Sequence, residues 1–385
     1  MHSLMDNVRV TGAWLVTVLC ALALTSRLGA QANLASQGFG FAPGQLSTRA
    51  VGTGGAVGEM DPWSPLNPAS IGILNTRLLF FQAEPEFKTI ETPNGIDRTS
   101  VARFPVVFGA MPVGQRWVIS VGFSTLLDRT AATTVTSNQR IGLDTVSVTT
   151  TVQANGAVND LRLAAAWTPQ NWIRIGVGIH ALTGRNLVQL RELFGDTLTF
   201  SQFGLERNLS FSGSAFSAGA QVFNKSILGA IAWRHGGGLR VSALDTTLGT
   251  ANVPDRLGIS LAYIGIANSA IAVRTTHENW SAIQGLGTSA TKAVDAWDTS
   301  VGADMSGPRF FGRQLQLRGG FRSRTLPFQA AGNDVTERSI AAGLGSLWGG
   351  GHVITDFGVL RSSRNAGLPT SEHAWTISFG ISVRQ

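Results

Sequence analysis

Residues 375–384 read WTISFGISVR. Side chains along an extended strand point alternately to opposite faces, and this run sorts cleanly by that rule. Trp375, Ile377, Phe379, Ile381 and Val383 share one face, while Thr376, Ser378, Gly380, Ser382 and Arg384 share the other. The pattern recurs upstream. In QLQLRGGFRSR (314–324), Leu315, Leu317 and Phe321 oppose Gln314, Gln316, Arg318, Arg322 and Arg324. In WIRIGVGIH (172–180), Ile173, Ile175, Val177 and Ile179 oppose Arg174, Gly176, Gly178 and His180. In RWVISVGFS (116–124), Trp117, Ile119, Val121 and Phe123 oppose Arg116, Ser120, Gly122 and Ser124. Residues 77–90 are noisier, with large apolar side chains on both faces near the start.

Fourteen such segments centre near residues 84, 105, 120, 162, 176, 213, 230, 260, 273, 298, 318, 340, 356 and 378. Their connections alternate in length. Short ones fall at 112–115, 169–171 and 224–225; long polar stretches fall at 128–157, 184–206, 236–254 and 277–292. A soluble β-sandwich also alternates its strand faces, but gives no reason for every second connection to be long. An outer-membrane barrel does, with an even strand number, short periplasmic turns and longer outer loops. The expected fold is all-β: a transmembrane antiparallel β-barrel of about 14 strands, with both chain termini in the periplasm.

Composition agrees. Charged residues make up 14% of the 385-residue chain, against about 25% in soluble domains. Hydrophobic residues make up 43%, too many for a disordered chain. Ten Trp and one Tyr leave Trp and Phe to form the interfacial aromatic belts. Of thirty basic residues only three are lysine, and the arginines are spread singly rather than patched, which argues against a nucleic-acid partner. No later segment approaches the 18 apolar residues of a membrane-spanning helix. The start reads as an export signal: Arg9, the apolar run TGAWLVTVLCALAL (11–24), and AQA (30–32), predicting cleavage after Ala32. Cys20, the sole cysteine, lies in that run. Leu19 before it is not the small residue that lipidation needs.

About 40 residues separate that cleavage point from the first strand. They include RAVGTGGAVGEMDPWSPLNPASIG (49–72), too rich in Gly and Pro for a helix or central strand. The order Arg-Ala, Gly-Gly-Ala, acidic spacer, Asn-Pro-Ala resembles the plug signature of FadL-type long-chain fatty-acid transporters and their PorV-like relatives. The matching residues are Arg49, Ala50, Gly54, Gly55, Ala56, Asp61, Asn67, Pro68 and Ala69. The resemblance implies an N-terminal hatch in the lumen of a fourteen-strand barrel. It also implies passive uptake of small hydrophobic or amphipathic molecules such as fatty acids, with ligand leaving sideways through the wall. The alternative it carries is a PorV-like protein partner or shuttle in a secretion or surface-attachment machine. The expected division is a signal peptide (1–32), hatch (33–75) and barrel (76–385). The expected location is the outer membrane of a Gram-negative-type bacterium. Expected partners are outer-membrane lipid and lipopolysaccharide, a small hydrophobic ligand and a possible protein partner.

Other chemistry finds little support. GTGGAVG (52–58) lacks the last glycine of a dinucleotide loop and the lysine of a phosphate loop, so no cofactor is expected. His180, His277, His352 and His373 are dispersed without metal spacing, so no metal site is expected. AFSAG (215–219) has the form of a nucleophile elbow around Ser217, but in mid-strand rather than at a strand-to-helix turn, and no enzyme is expected. The alternation instead points Arg162, Arg174, His180, Arg234, Arg274, Arg318 and Arg322 into the lumen, with Asp298, Asp304 and Asp356 on the same face. These form either an ion-pair network between wall and hatch or a positive lining for anionic ligands.

Overall fold

The computed structural model describes Leu34 and residues 39–93, 95–141, 144–195, 201–244, 246–286, 292–310 and 312–385. The expected export signal, its cleavage point and Cys20 lie outside the described residues. Seventeen strand segments form one antiparallel sheet. Breaks at 104–105, 129–130 and 253–255 each interrupt a single wall crossing, so the described wall has fourteen strands. They are β1 (Leu78–Thr92), β2 (Gly95–Arg103 and Val106–Val113), β3 (Trp117–Asp128 and Ala131–Ile141), β4 (Asp144–Gln170), β5 (Ile173–Phe194), β6 (Phe203–Phe223) and β7 (Ile227–Ala243). The circuit continues with β8 (Thr246–Asn252 and Arg256–Tyr263), β9 (Ala270–Glu278), β10 (Ala296–Phe310), β11 (Arg313–Thr325), β12 (Thr336–Trp348), β13 (Val353–Asn365) and β14 (Ser371–Arg384). β14 pairs back onto β1, from Leu78↔Arg384 to Glu91↔Ser371, and closes the barrel.

Period two decides which way each residue faces. On β5, Ile173, Ile175, Val177, Ile179 and Ala181 face outward before Thr183 and Arg185 turn the surface polar. That apolar run is about 26 Å along the strand, or roughly 20 Å across a membrane at ~40° tilt, close to the ~25 Å band of such barrels. Outward Trp117 and Trp167 stack at 5.9 Å between centroids near the rim that carries the short turns. Outward Trp233, Trp297 and Trp375 stand at the opposite rim.

The long connections are mostly not loops. Residues 131–141 and 144–156 form a hairpin that carries β3 and β4 onward beyond the apolar band. β5, β6, β7 and the first part of β8 likewise continue through most of 184–206 and 236–254. Thr, Ser and Val keep these extensions strand-like, which a polarity count does not register. Among the four stretches, 277–292 is the irregular one, with a 3₁₀ turn at Trp280–Leu286.

Residues 39–77 fill the lumen. Helix α1 (Thr48–Gly52) is capped by the Ser47 hydroxyl, which accepts from the Ala50 amide at 3.1 Å. A 3₁₀ turn (Pro68–Ile73) is capped by Asn67, which accepts from the Ala69 amide at 2.9 Å and donates to the Glu59 carbonyl at 3.0 Å. Pro at the first helical position costs no hydrogen bond there. The described start of the segment and its end lie at opposite ends of the barrel. Leu34, Phe39 and Phe41 lie at the end with the long connections, packed on Leu326 and Phe328 from the β11–β12 connection, while Arg77 is at the end with the short turns. The plug therefore runs down the whole lumen, because its first aromatic residues find their apolar partners among the outer connections.

Candidate functional site

The wall meets the plug backbone to backbone. A Cβ on Gly176 would lie 2.3 Å from the Pro68 carbonyl carbon, and one on Gly320 would lie 2.1 Å from Thr53 O. Glycine is the residue that permits such approach. Gly54 adds a turn with φ +65°, close against the Phe321 backbone, and Gly55 turns with φ +98° beside Arg274. Ala56 is fully buried in the apolar cluster behind them.

Charged side chains tie plug to wall in layers. Nearest the short turns, Arg49 binds Asp304 at 2.8 Å and Asp61 at 3.5 Å, while Arg318 joins Asp304 (3.4 Å) to Asp356 (2.6 Å). In the middle, Glu59 of the plug pairs with Arg256 and, at 3.2 Å, with Arg274. Arg274 and Arg322 share Asp298, at 3.1 and 2.7 Å. Arg174 donates to Gln221 at 3.2 Å and lies over the Phe223 ring. Arg234 donates to Gln45 of the plug at 3.1 Å. Arg162 differs from the rest: it is buried, and none of its guanidinium nitrogens has a hydrogen-bond partner among the described residues.

Two plug carboxylates behave oppositely. Burial opposes charge on Glu59, but Arg256 and Arg274 outweigh it and hold its carboxyl below the usual range. Burial pushes the Asp61 carboxyl up, only partly offset by Arg49, Ser47 and Ser64. A depressed folded pKa means that Glu59 stabilises the seated plug above its unfolded value, about 4.3, and loses that contribution as pH falls through the folded value. A raised one means that charged Asp61 costs stability at neutral pH. Glu59→Gln is therefore expected to loosen the plug, by an amount on the order of 3–5 kcal/mol, while Asp61→Asn leaves it unchanged or firmer. Hydrogen exchange across residues 45–74 measures both. Equal protection in the two variants would contradict this assignment.

The outermost layer was not anticipated from sequence. The Phe41 ring is surrounded by Lys88, Arg103, Arg324 and Arg364, at 5.4, 4.8, 5.1 and 4.6 Å from its centroid. Glu86, Glu337, Glu372 and Asp128 neutralise them; Arg364 alone pairs with Glu86, Glu337 and Glu372. Glu84, Glu86 and Lys88 sit two apart on β1, so the spacing was visible, but apolar residues around them masked it. Phe41 had no sequence signal at all.

Asp160, His180 and Ser217 also meet. Asp160 accepts from His180 Nδ1 at 2.8 Å, which leaves Nε2 to accept from the Ser217 hydroxyl, also at 2.8 Å. This is the order of a nucleophile relay. Ser217 is 1% exposed, however, and the strand amides around it are committed to the sheet. Asp160 accepts further from Gln45 at 3.1 Å, so the relay ties wall to plug.

One stretch of wall is open. Pro105 has no amide proton to donate, and β2 breaks there. Opposite it, β3 shifts register between Thr125 and Leu127, the mark of a bulge. Residues 125–128 are all buried, so the strand dips into the lumen. Phe41 bonds this dip through both backbone groups of Asp128, at 2.6 and 2.8 Å. Above it, no described pairing joins Gly95–Arg103 of β2 to Ala131–Ile141 of β3. A cavity of ≈160 Å³ lies between these lips, lined by Asp97, Thr99, Thr130, Gln153, Asn155 and Gln189 among others. Behind the dip, Phe39, Leu127, Leu182, Phe211, Trp280 and Phe328 belong to one packed apolar cluster. Phe39 stacks on Phe328 at 4.5 Å. A larger hollow, ≈720 Å³, lies among outward residues such as Leu79, Ile119, Leu163 and Ile179, on the face turned to lipid.

No family model matches the chain, and no curated protein does. Solved structures do. A Pseudomonas aeruginosa FadL homologue superimposes with a TM-score of 0.60 at 12% identity, over 89% of this chain and 99% of that one. The Ralstonia pickettii toluene transporter TbuX gives 0.56 at 14% identity, over 88% and 98%. The P. putida toluene transporter TodX gives 0.57 at 10% identity, over 88% and 98%. At these identities the likeness is one of fold: this barrel resembles those of the FadL homologue and the toluene transporters.

Proposed function

We propose that this FadL-type barrel is an outer-membrane channel for passive uptake of small hydrophobic or amphipathic molecules, fatty acids among them. The observation that carries the reading is the unpaired seam above the β3 dip, with an apolar cluster directly behind it. A ligand entering between the outer connections meets apolar side chains first, and the seam offers it a sideways path through the wall. The plug closes the straight path down the lumen. The similar structures, a FadL homologue and a toluene transporter among them, support a hydrophobic ligand. A PorV-like partner role is the weaker reading, because the lumen is filled by residues of the chain itself.

Phe39 occupies the apolar space a ligand would need. Phe39→Ala is expected to open it and raise retention of long-chain fatty acid on the purified protein. Lipid extraction of detergent-purified barrel with mass spectrometry measures this. Fatty acid bound by neither wild type nor variant, with the barrel still heat-modifiable on a gel, would sink the channel reading for that ligand.

A further inference from the structure

The outward face of β10–β14, β1 and β2 changes character between two adjacent rows. Strand register places Val301, Phe321, Ile340, Arg361, Trp375 and Phe87 side by side around the wall. The next outward row, one step toward the outer end, is Thr299, Ser323, Arg338, Ser363, His373, Thr89 and Arg98. The lower row is apolar except for Arg361. The upper row is wholly hydroxyl or basic. This switch marks the outer edge of the apolar band, where acyl chains give way to headgroups.

The basic members cluster. Arg338 and Arg361 are diagonal neighbours on β12 and β13, and Arg361 and His373 are diagonal neighbours on β13 and β14. Such neighbours stand about 7–8 Å apart. Arg98 completes the row two strands beyond His373. Arg98, Arg338 and Arg361 are exposed, and none has an ion-pair partner among the described residues. Glu91, one outward step above Thr89 on β1, is the carboxylate facing the same surface. The lumen differs: eight arginines there, from Arg49 to Arg364, pair with carboxylates among the described residues, while Arg162, Arg174 and Arg234 do not. Like charges held this close on a sheet repel, so the surface calls for anions from outside the chain. Arg361 lies over the Trp375 ring at 4.9 Å, its stem along apolar wall and its head at the boundary. Ile340, 69% exposed, and Phe87 continue the apolar surface beneath it.

We propose that Arg338, Arg361, His373 and Arg98 form a binding site for a phosphorylated glycolipid of the outer leaflet. Its phosphates are held by the guanidinium forks and its acyl chains lie on Ile340, Trp375 and Phe87. Guanidinium pairs bidentately with phosphate, and the hydroxyls of Ser363 and Thr89 suit sugar. The site lies on the outward face rather than in the lumen; of its four basic residues, Arg98 stands on the β2 lip of the seam where the proposed transport path leaves the wall, and Arg338, Arg361 and His373 lie on strands away from it.

The test is native mass spectrometry of the barrel in mild detergent with a purified diphosphoryl lipid A. Wild type is expected to retain it, and Arg338→Gln with Arg361→Gln to bind it about thirtyfold more weakly. Arg98→Gln should give a smaller loss, and a dephosphorylated lipid A should bind wild type as weakly as the double variant binds the native lipid. Inorganic phosphate alone should compete poorly, because it lacks the acyl contacts. A heat-shift gel confirms that each variant is folded. Equal retention of lipid with and without phosphates, or equal binding by wild type and double variant, overturns the site. Either result leaves the fatty-acid measurement on Phe39→Ala unaffected.

Discussion

Arg364→Met is expected to lower the temperature at which the folded, fast-migrating form converts to the unfolded one on a semi-native gel, more than any single surface change. Arg364 is 1% exposed and pairs with three carboxylates, Glu86, Glu337 and Glu372. Removing it leaves those carboxylates short of positive charge in a site closed to solvent. Breaking a buried pair on one side costs about 3–5 kcal/mol, and Glu372 sits on the closing strand β14. The Phe41 ring also loses one of its four cations, worth ~0.5–2 kcal/mol. Arg364→Lys should rescue little, because a single ammonium cannot serve three carboxylates as a planar fork does. Adding Glu372→Gln and Glu86→Gln to Arg364→Met should restore part of the loss. The same midpoint for Arg364→Met and wild type would show that the layer is dispensable.

The second large effect is expected at Gly176. Valine there places its Cβ within 2.3 Å of the Pro68 carbonyl carbon and 2.4 Å of the Ala69 amide. Neither contact can be relieved by a side-chain rotation, since both partners are backbone. Overpacking costs about 1–3 kcal/mol where the surroundings can shift. Here the plug is the part that can shift, since the wall is held by ladders on both sides of β5. Gly176→Val should therefore unseat the Pro68–Ile73 turn and leave the barrel intact. In planar bilayers, ion conductance should rise from a closed level to that of an open pore. Gly238→Val, at a glycine with open space around it, should stay closed. A folded Gly176→Val barrel with wild-type conductance would mean that the turn does not seal the lumen.

Strand number, strand centres and facing were legible because a two-residue period is a local property. WTISFGISVR states its own orientation, and thirteen of the fourteen expected centres fall on strands, the other on the break at Pro105. The plug was legible through Gly54, Gly55 and Asn67-Pro68-Ala69, residue types with narrow backbone roles. What stayed hidden depended on distance in sequence. Phe41 gives no local hint that four basic residues from β1, β2, β11 and β13 will gather on it. Asp160, His180 and Ser217 meet because β4, β5 and β6 are neighbours in a particular register. The seam was hidden for the same reason: Pro105 shows that a bond is missing, but not which partner strand will fail to replace it. The outer connections were misread because Thr- and Ser-rich strands above the membrane look like loops to a hydropathy argument.

The path of residues 39–77 has a consequence for the order of assembly. Their upper end is bonded to β3 and stacked among the outer connections, and their lower end leads directly into β1. Between them, Gly176, Gly302 and Gly320 leave no clearance for a chain to slide past. β1 and β14, the strands that close the circle, come from opposite ends of the wall. A finished cylinder could admit this segment only by opening again. The geometry favours enclosure over insertion: the wall curls around a segment already laid against it, and the β1–β14 ladder zips last. The segment would then act as a template for barrel diameter, so deleting residues 39–72 is expected to slow closure as well as leave the pore open.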